Sequence, residues 1–165
     1  MKNVLIGILL SFAFTSCSES RVESEAYNSM LTLLLSHSVN EVAIHEIDQI
    51  DTPIFLDARS IEEFNVSHIE NAQFIGYDSL HISTLNNIEK DQRIVVYCSV
   101  GYRSEKVAEK LIELGYKNVS NLYGGVFEWM NQNKPVVDST NRLTNQIHAF
   151  DKTWGIWLTN GEKIY

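Results

Sequence analysis

Cysteine is scarce in this chain of 165 residues: there are two, Cys17 and Cys98. There is no CxxC pair and no Cys/His cluster, so the ligands of a structural zinc site are missing. The two cysteines sit in unlike surroundings. Cys17 closes an apolar leader and Cys98 ends a strand-like run, so a disulfide between them requires the leader to stay attached and fold back. Positive charge is also short, with 13 Lys and Arg against 21 Asp and Glu and a formal net charge of -8. Binding a phosphate backbone takes clustered Lys and Arg. No such cluster is visible, so no nucleic-acid partner is expected and the acidic surface serves solubility. No apolar run is long enough to span a bilayer comfortably, and there is no internal repeat or low-complexity segment. What remains is an ordinary globular composition, 44% hydrophobic and 21% charged, of a length that suits one domain behind a targeting segment.

Residues 1–17 have the pattern of a secretory signal: one positive charge, a short apolar run, then small residues. Phe14-Thr15-Ser16-Cys17 resembles a bacterial lipobox, departing at Phe14 where Leu is commoner. This predicts an exported lipoprotein of the periplasm or cell envelope, acylated at Cys17, with more than one chain to hold it on the membrane. A plainly secreted protein and an uncleaved anchor are the alternatives. In the lipoprotein reading Cys98 is the mature protein's lone thiol in an oxidising compartment, a liability unless shielded or used.

The rest divides into a tether and helix (18–39), a central domain (40–134) and a C-terminal extension (135–165). Residues 24–37 carry Tyr27, Met30, Leu31, Leu34 and Leu35 on one helical face. Short strands are predicted at 42–44, 53–56, 72–75, 93–97 and 119–122. Helices are predicted after Ser60, over 80–88, over 103–114 with Gly115 as its stop, and from Gly124-Gly125 through Trp129. Alternating strands and helices predict an α/β fold with a parallel sheet covered on both faces. Residues 136–153 are polar and irregular. Residues 154–158 and 162–165, flanking Asn160-Gly161, read as a hairpin with a type I′ turn. The tail holds two of the three Trp residues, so it is expected to pack on the domain.

The chemistry concentrates where a strand passes through Cys98-Ser99-Val100-Gly101-Tyr102-Arg103 into a helix. Such a loop turns backbone N–H groups inward, and those dipoles stabilise negative charge at its centre. A Cys98 thiolate held there is nucleophilic at neutral pH, and Gly101 allows the tight turn. The plainer reading is that a Cys ending a buried strand is only a small hydrophobe; the following Gly, Arg and helix start weigh against it. No His or Asp can be assigned to Cys98 from spacing, so a Cys-His protease has little support.

The run from Val96 to Ser104 resembles the active-site segment of rhodanese-like sulfurtransferases. The resemblance extends over about residues 40–132 and several ordered motifs: Leu56-Asp57-Ala58-Arg59 with Glu63-Phe64, His68-Ile69 with Ala72, Leu114-Gly115-Tyr116 with Asn118-Val119, and Leu122-Tyr123-Gly124-Gly125 with Trp129. It implies a rhodanese-like parallel five-stranded sheet with helices on both faces, here with a C-terminal hairpin extension. It also implies double displacement: Cys98 takes the outer sulfur of a donor such as thiosulfate, forms a persulfide, and passes the sulfur to a thiol or cyanide. Backbone N–H groups of Ser99, Val100, Gly101, Tyr102 and Arg103 would cradle that sulfur, without metal or organic cofactor. Ser67, Glu70 and Asn71 replace the usual Gly, Pro and Gly around His68, changes expected to affect a turn; Asn71 tolerates left-handed geometry. Arg103 is the loop's only cation, so thiosulfate, a dianion, is expected to bind weakly, and a polysulfide or a partner's persulfide is the alternative donor.

Two rivals follow. Related cell-cycle phosphatases have a loop one residue longer; the four residues between Cys98 and Arg103 match the sulfur-sized loop. A non-catalytic module that presents sulfur or docks a partner is the other. Asp57 and Arg59 either line the site, beyond the strand ends, or hold the fold, with Arg59 pairing to Glu63 and Asp57 bonding backbone. His68 is read as a hydrogen-bonded structural residue, Trp129 as core, and Tyr102 as a rim residue. His148, Trp154 and Trp157 are assigned to packing rather than to the pocket border.

Overall fold

The computed structural model describes residues 20–165. The leader, Cys17 included, lies outside the described residues. Among those described, no helix is long and apolar enough to cross a membrane.

Five strands form one sheet: β1 (Asn40–Val42), β2 (Ile54–Asp57), β3 (Gln73–Phe74), β4 (Arg93–Tyr97) and β5 (Asn118–Leu122). Their order is β1-β5-β4-β2-β3 and every pairing is parallel. The central strand β4 shows why it must be covered on both faces. Ile94 and Val96 pack into a cluster with Val107, Ala108 and Leu111, whereas Val95 and Tyr97 pack into another with Tyr27, Leu31, Val126 and Phe127. The first cluster is supplied by helix α3 (Tyr102–Glu113), which follows α1 (Glu25–Leu34) and α2 (Ile61–Val66) in the chain, and the second by α1 and α4 (Gly125–Asn131). A strand buried on both sides reads as an unbroken apolar run, as Ile94-Val95-Val96-Tyr97 does.

Local signals set the helix starts. Ser60 caps α2 by accepting from the Glu63 N–H at 3.3 Å, and the Glu63 carboxylate accepts from the Ser60 N–H at 2.9 Å, a reciprocal capping box. Ser24 caps α1 by accepting from the Tyr27 N–H, without a reciprocal bond. Asn71 is left-handed, with φ 62°. Residues 80–88 do not make an α-helix. Only Ile82–Leu85 winds, as a 3₁₀ turn, because just Leu85 and Ile88 are buried there and too narrow an apolar face exists to hold longer helix.

The tail differs most from expectation. Residues 154–165 do not form a hairpin. Trp154–Trp157 is a 3₁₀ turn, and β9 (Glu162–Ile164) pairs in parallel with β8 (Gln146–His148). Tertiary packing overrides the turn signal: Asn160 and Gly161 are tied to α4 and its exit, the Asn160 side chain donating to the Met130 carbonyl and Asn133. The antiparallel pair in this region is instead β6 (Val136–Val137) with β7 (Leu143–Thr144), inside the stretch that reads as irregular. The tail lies on the α1 and α4 side of the sheet. Ile147, Ala149 and Leu158 join its buried cluster, and Trp157 stacks on Tyr27 with ring centroids 5.3 Å apart.

Candidate active site

The chain leaves β4 at Tyr97 and enters α3 at Tyr102, so residues 98–101 form a loop beyond the strand ends, where ligands sit in open parallel sheets. Three of its four carbonyls, those of Cys98, Ser99 and Gly101, are fastened away from the centre. The Val126 N–H donates to the Cys98 carbonyl at 2.8 Å and the Phe127 N–H to the Ser99 carbonyl at 3.1 Å. The Gly101 carbonyl accepts from the Asn121 amide at 3.0 Å, the Ser104 hydroxyl at 3.1 Å and the Glu105 N–H at 3.0 Å. With these oxygens tied back, the Gly101 N–H donates to the Cys98 Sγ at 3.1 Å. Gly101 itself has φ 122°, a conformation open only to glycine.

α4 can clamp the loop this closely because Gly125 has no side chain. Gly125 is left-handed, with φ 59°, and a Cβ there would collide with the Cys98 carbonyl oxygen and lie 2.6 Å from that of Ser99. Gly125→Ala is expected to destabilise the protein by about 2–4 kcal/mol and to displace the loop. Urea unfolding checks it; a loss under about 1 kcal/mol would show that the loop yields freely.

A cavity of about 420 Å³ lies over the loop, bordered by Cys98, Ser99, Val100, Tyr102 and Arg103. Its outer walls are Leu34 of α1 with Phe150 and Trp154 of the tail. Cys98 is 1% exposed. Trp154 thus borders the pocket, against its assignment to packing alone, whereas Trp157 packs.

A family model for the rhodanese-like domain matches residues 40–132, more than half of the chain. The chain belongs to the rhodanese-like domain family. Among curated proteins, it is similar to two enzymes named tRNA uridine(34) hydroxylase. That of Photorhabdus laumondii is 29% identical over 145 residues, covering 81% of this chain and 38% of the relative. That of Pectobacterium carotovorum is 34% identical over 106 residues, covering 61% and 28%. The chain therefore spans well under half the length of these relatives. Among solved structures, a Bacillus halodurans protein aligns with TM-score 0.55 and 26% identity over 70% of this chain and 85% of that one. Thiosulfate sulfurtransferase of Pseudomonas aeruginosa aligns with TM-score 0.58 over 70% of this chain and 23% of that one; at 18% identity it shows the shared fold.

In this rhodanese-like chain the buried charges pair differently from the sequence reading. Arg59 does not pair with Glu63. It is fully buried and binds Asp57, with Nη2 2.7 Å from Oδ2 and Nε 3.0 Å from Oδ1, while its other bond goes to the Ser67 carbonyl at 2.6 Å. Asp57 does bond backbone, accepting from the Arg59 N–H at 2.9 Å. Neither residue borders the cavity, so both serve the fold. Two residues apart on a strand exit, they face one another at shorter reach than Arg59 and Glu63. His68 is structural as expected: its Nδ1 lies 3.0 Å from the Phe64 carbonyl and its ring stacks on Phe64.

Glu63 is free for Arg103. The guanidinium makes a two-pronged contact, Nη1 to Oε2 at 2.7 Å and Nη2 to Oε1 at 2.8 Å, and donates to the Ser99 hydroxyl at 3.0 Å. Ser99 in turn donates to Glu63 at 3.1 Å. Burial pushes the Glu63 carboxyl up, but the Arg103 hydrogen bond and charge, the Ser60 N–H and the Arg59 charge outweigh it and hold it at about 2. Because this lies below the ordinary 4.5, the contribution to stability is complete above pH 4.5 and drains away as pH falls toward 2. Wild type is expected to lose on the order of 2 kcal/mol more than Glu63→Gln over that window, read by urea unfolding at several pH values. Equal pH slopes in the two proteins would contradict the pairing. Among the described residues, no group of three or more His, Cys, Asp or Glu side chains is arranged to hold a metal ion.

The cavity walls beyond the loop escape sequence reasoning. Leu34 is identifiable only as helix-face residue, and Phe150 carries no motif. The one available signal is the aromatic content of the tail.

Proposed function

We propose that the protein is a sulfurtransferase that moves sulfane sulfur through a persulfide on Cys98. The observation carrying this reading is the Gly101 N–H aimed at Sγ from 3.1 Å, in a loop whose Cys98, Ser99 and Gly101 carbonyls are tied to α3, α4 and β5. Inward amides stabilise a thiolate and, one atom further out, the terminal sulfur of a persulfide. In the first half-reaction the Cys98 thiolate pair forms a bond to the outer sulfur of the donor. The donor's S–S bond breaks and its electron pair leaves on the remaining fragment, sulfite when the donor is thiosulfate. In the second, a thiol or cyanide attacks the outer sulfur and the Cys98 thiolate departs with its pair. Cys98, Ser99, Val100, Gly101, Tyr102 and Arg103 are the working residues, and the protein's own groups suffice for both steps. Envelope anchoring through Cys17 belongs to the same reading.

The formal net charge of -8 weighs against a tRNA substrate for this chain, because a phosphate backbone is bound by clustered Lys and Arg. A non-catalytic sulfur carrier is the second reading, favoured by the burial of Cys98 at 1% exposure. The test is to weigh the intact protein after exposure to thiosulfate or inorganic polysulfide and to assay thiosulfate:cyanide turnover. Gain of one sulfur with turnover supports the enzyme. Loading without turnover to any thiol or cyanide indicates the carrier, and no loading from either donor rejects both.

A further inference from the structure

The pocket over Cys98 is the wrong environment for a small dianion. Among the described residues that border it, Arg103 is the only one with a charged side chain. That charge is already matched by Glu63 at 2.7 and 2.8 Å. Its guanidinium is further covered by the Phe150 ring, 5.1 Å from centroid to Cζ. A thiosulfate dianion entering beside a Cys98 thiolate would meet repulsion with no free cation to offset it, and would leave water to do so. The cavity is also large for a small inorganic ion. At about 420 Å³ it falls in the range of pockets that take organic ligands, and Leu34, Val100, Tyr102, Phe150 and Trp154 make its walls apolar. Three of these five, Leu34, Phe150 and Trp154, come from outside the loop and wall the cavity beyond it, so they surround whatever is attached to the reacting sulfur.

Resting on the sulfurtransferase reading, we propose that the physiological exchange partner of Cys98 is an organic thiol and its persulfide, with an uncharged apolar group of about aromatic-ring size. In the donor direction, the Cys98 thiolate bonds to the outer sulfur of R–S–SH, the inner S–S bond breaks, and R–S⁻ leaves with the electron pair. The proton stays on the transferred sulfur. The acceptor direction is the reverse, with R–S⁻ attacking Cys98–S–SH and the Cys98 thiolate leaving. In both directions only the R group contacts Leu34, Phe150 and Trp154, while the loop amides hold the outer sulfur. No charge beyond one thiolate enters the pocket.

The experiment separates this proposal from the reading beneath it. The protein is loaded with inorganic polysulfide at high concentration, desalted, and the persulfide confirmed by intact mass. Its discharge is then timed with two thiols of similar acidity, phenylmethanethiol and 2-mercaptoethanesulfonate. The second-order rate constant is expected to be at least about ten-fold larger for phenylmethanethiol. In Phe150→Asn that ratio is expected to fall several-fold. Phe150 is 47% exposed and left-handed, with φ 64°, a conformation Asn accepts, so the variant keeps its fold. Equal rate constants, a preference for the sulfonate, or an unchanged ratio in Phe150→Asn would overturn the apolar-partner proposal while leaving sulfur transfer intact. Failure to load from any donor would reject sulfur transfer itself, and this proposal with it.

Discussion

Cys98→Ser is expected to stay folded and to lose sulfur transfer by at least about 10³-fold. Serine matches the thiol in shape, and the Gly101 N–H that lies 3.1 Å from Sγ finds a hydroxyl oxygen to donate to instead. The cost in stability is expected to be about 1 kcal/mol, since a hydroxyl enters the apolar cluster that Cys98 shares with Val96 and Val107. The chemistry has no such substitute. A neutral alcohol does not attack sulfane sulfur, and among the described residues Cys98 is the only cysteine. Intact mass and turnover are read together with thermal unfolding. A serine variant that is folded yet still gains sulfur would mean that sulfur sits elsewhere on the chain, and the role given to Cys98 would be withdrawn.

Removing one partner of the Asp57–Arg59 pair is expected to have the largest effect on stability. Both side chains are fully buried, so Arg59→Met leaves a buried carboxylate held by the Arg59 N–H and the Tyr97 hydroxyl, with its ion-pair partner gone. The expected loss is about 3–5 kcal/mol, which for a domain of this size lowers the unfolding midpoint by on the order of 10 °C. The double variant Asp57→Asn/Arg59→Met is expected to recover part of it, because no lone charge is then left inside. Arg59 also spans from the exit of β2 to the Ser67 carbonyl at 2.6 Å, beyond the end of α2. Both variants therefore lose that tether, and recovery is incomplete. A single variant that unfolds within about 1 kcal/mol of wild type would show that Asp57 finds other donors or takes up a proton at little cost.

Most of the sheet was legible because its strands announce themselves. The run of Ile94 to Tyr97 is apolar at every position, and the α3 stripe of Val107, Ala108 and Leu111 repeats at helical spacing. The start of α2 after Ser60 was equally plain. The loop around Cys98 could be placed because a strand must end and a helix must begin on either side of it. What stayed hidden depends on contacts distant in sequence. Whether Glu63 binds Arg59 or Arg103 is decided by how α2 sits against the start of α3, a separation of 40 residues. The tail misled for a related reason. Asn160-Gly161 is a good hairpin turn in isolation, but in the folded protein Gly161 lies against Asn145 and Met130, and the following strand finds β8. The pocket walls are the extreme case, since Leu34 of α1 and Phe150 of the tail, distant in sequence, line one cavity only in the folded chain.

Those walls lie outside residues 40–132, the stretch shared with the family: Leu34 precedes it, and Phe150 and Trp154 follow it. In the proposed sulfur transfer, the shared stretch would decide which bond is made and broken, and the flanks would decide whose sulfur arrives. Such a division lets the two properties drift separately. Two chains with the same loop and different ends would run one reaction for different clients, and exchanging the ends between relatives would exchange their clientele without touching the sulfur-bearing residue.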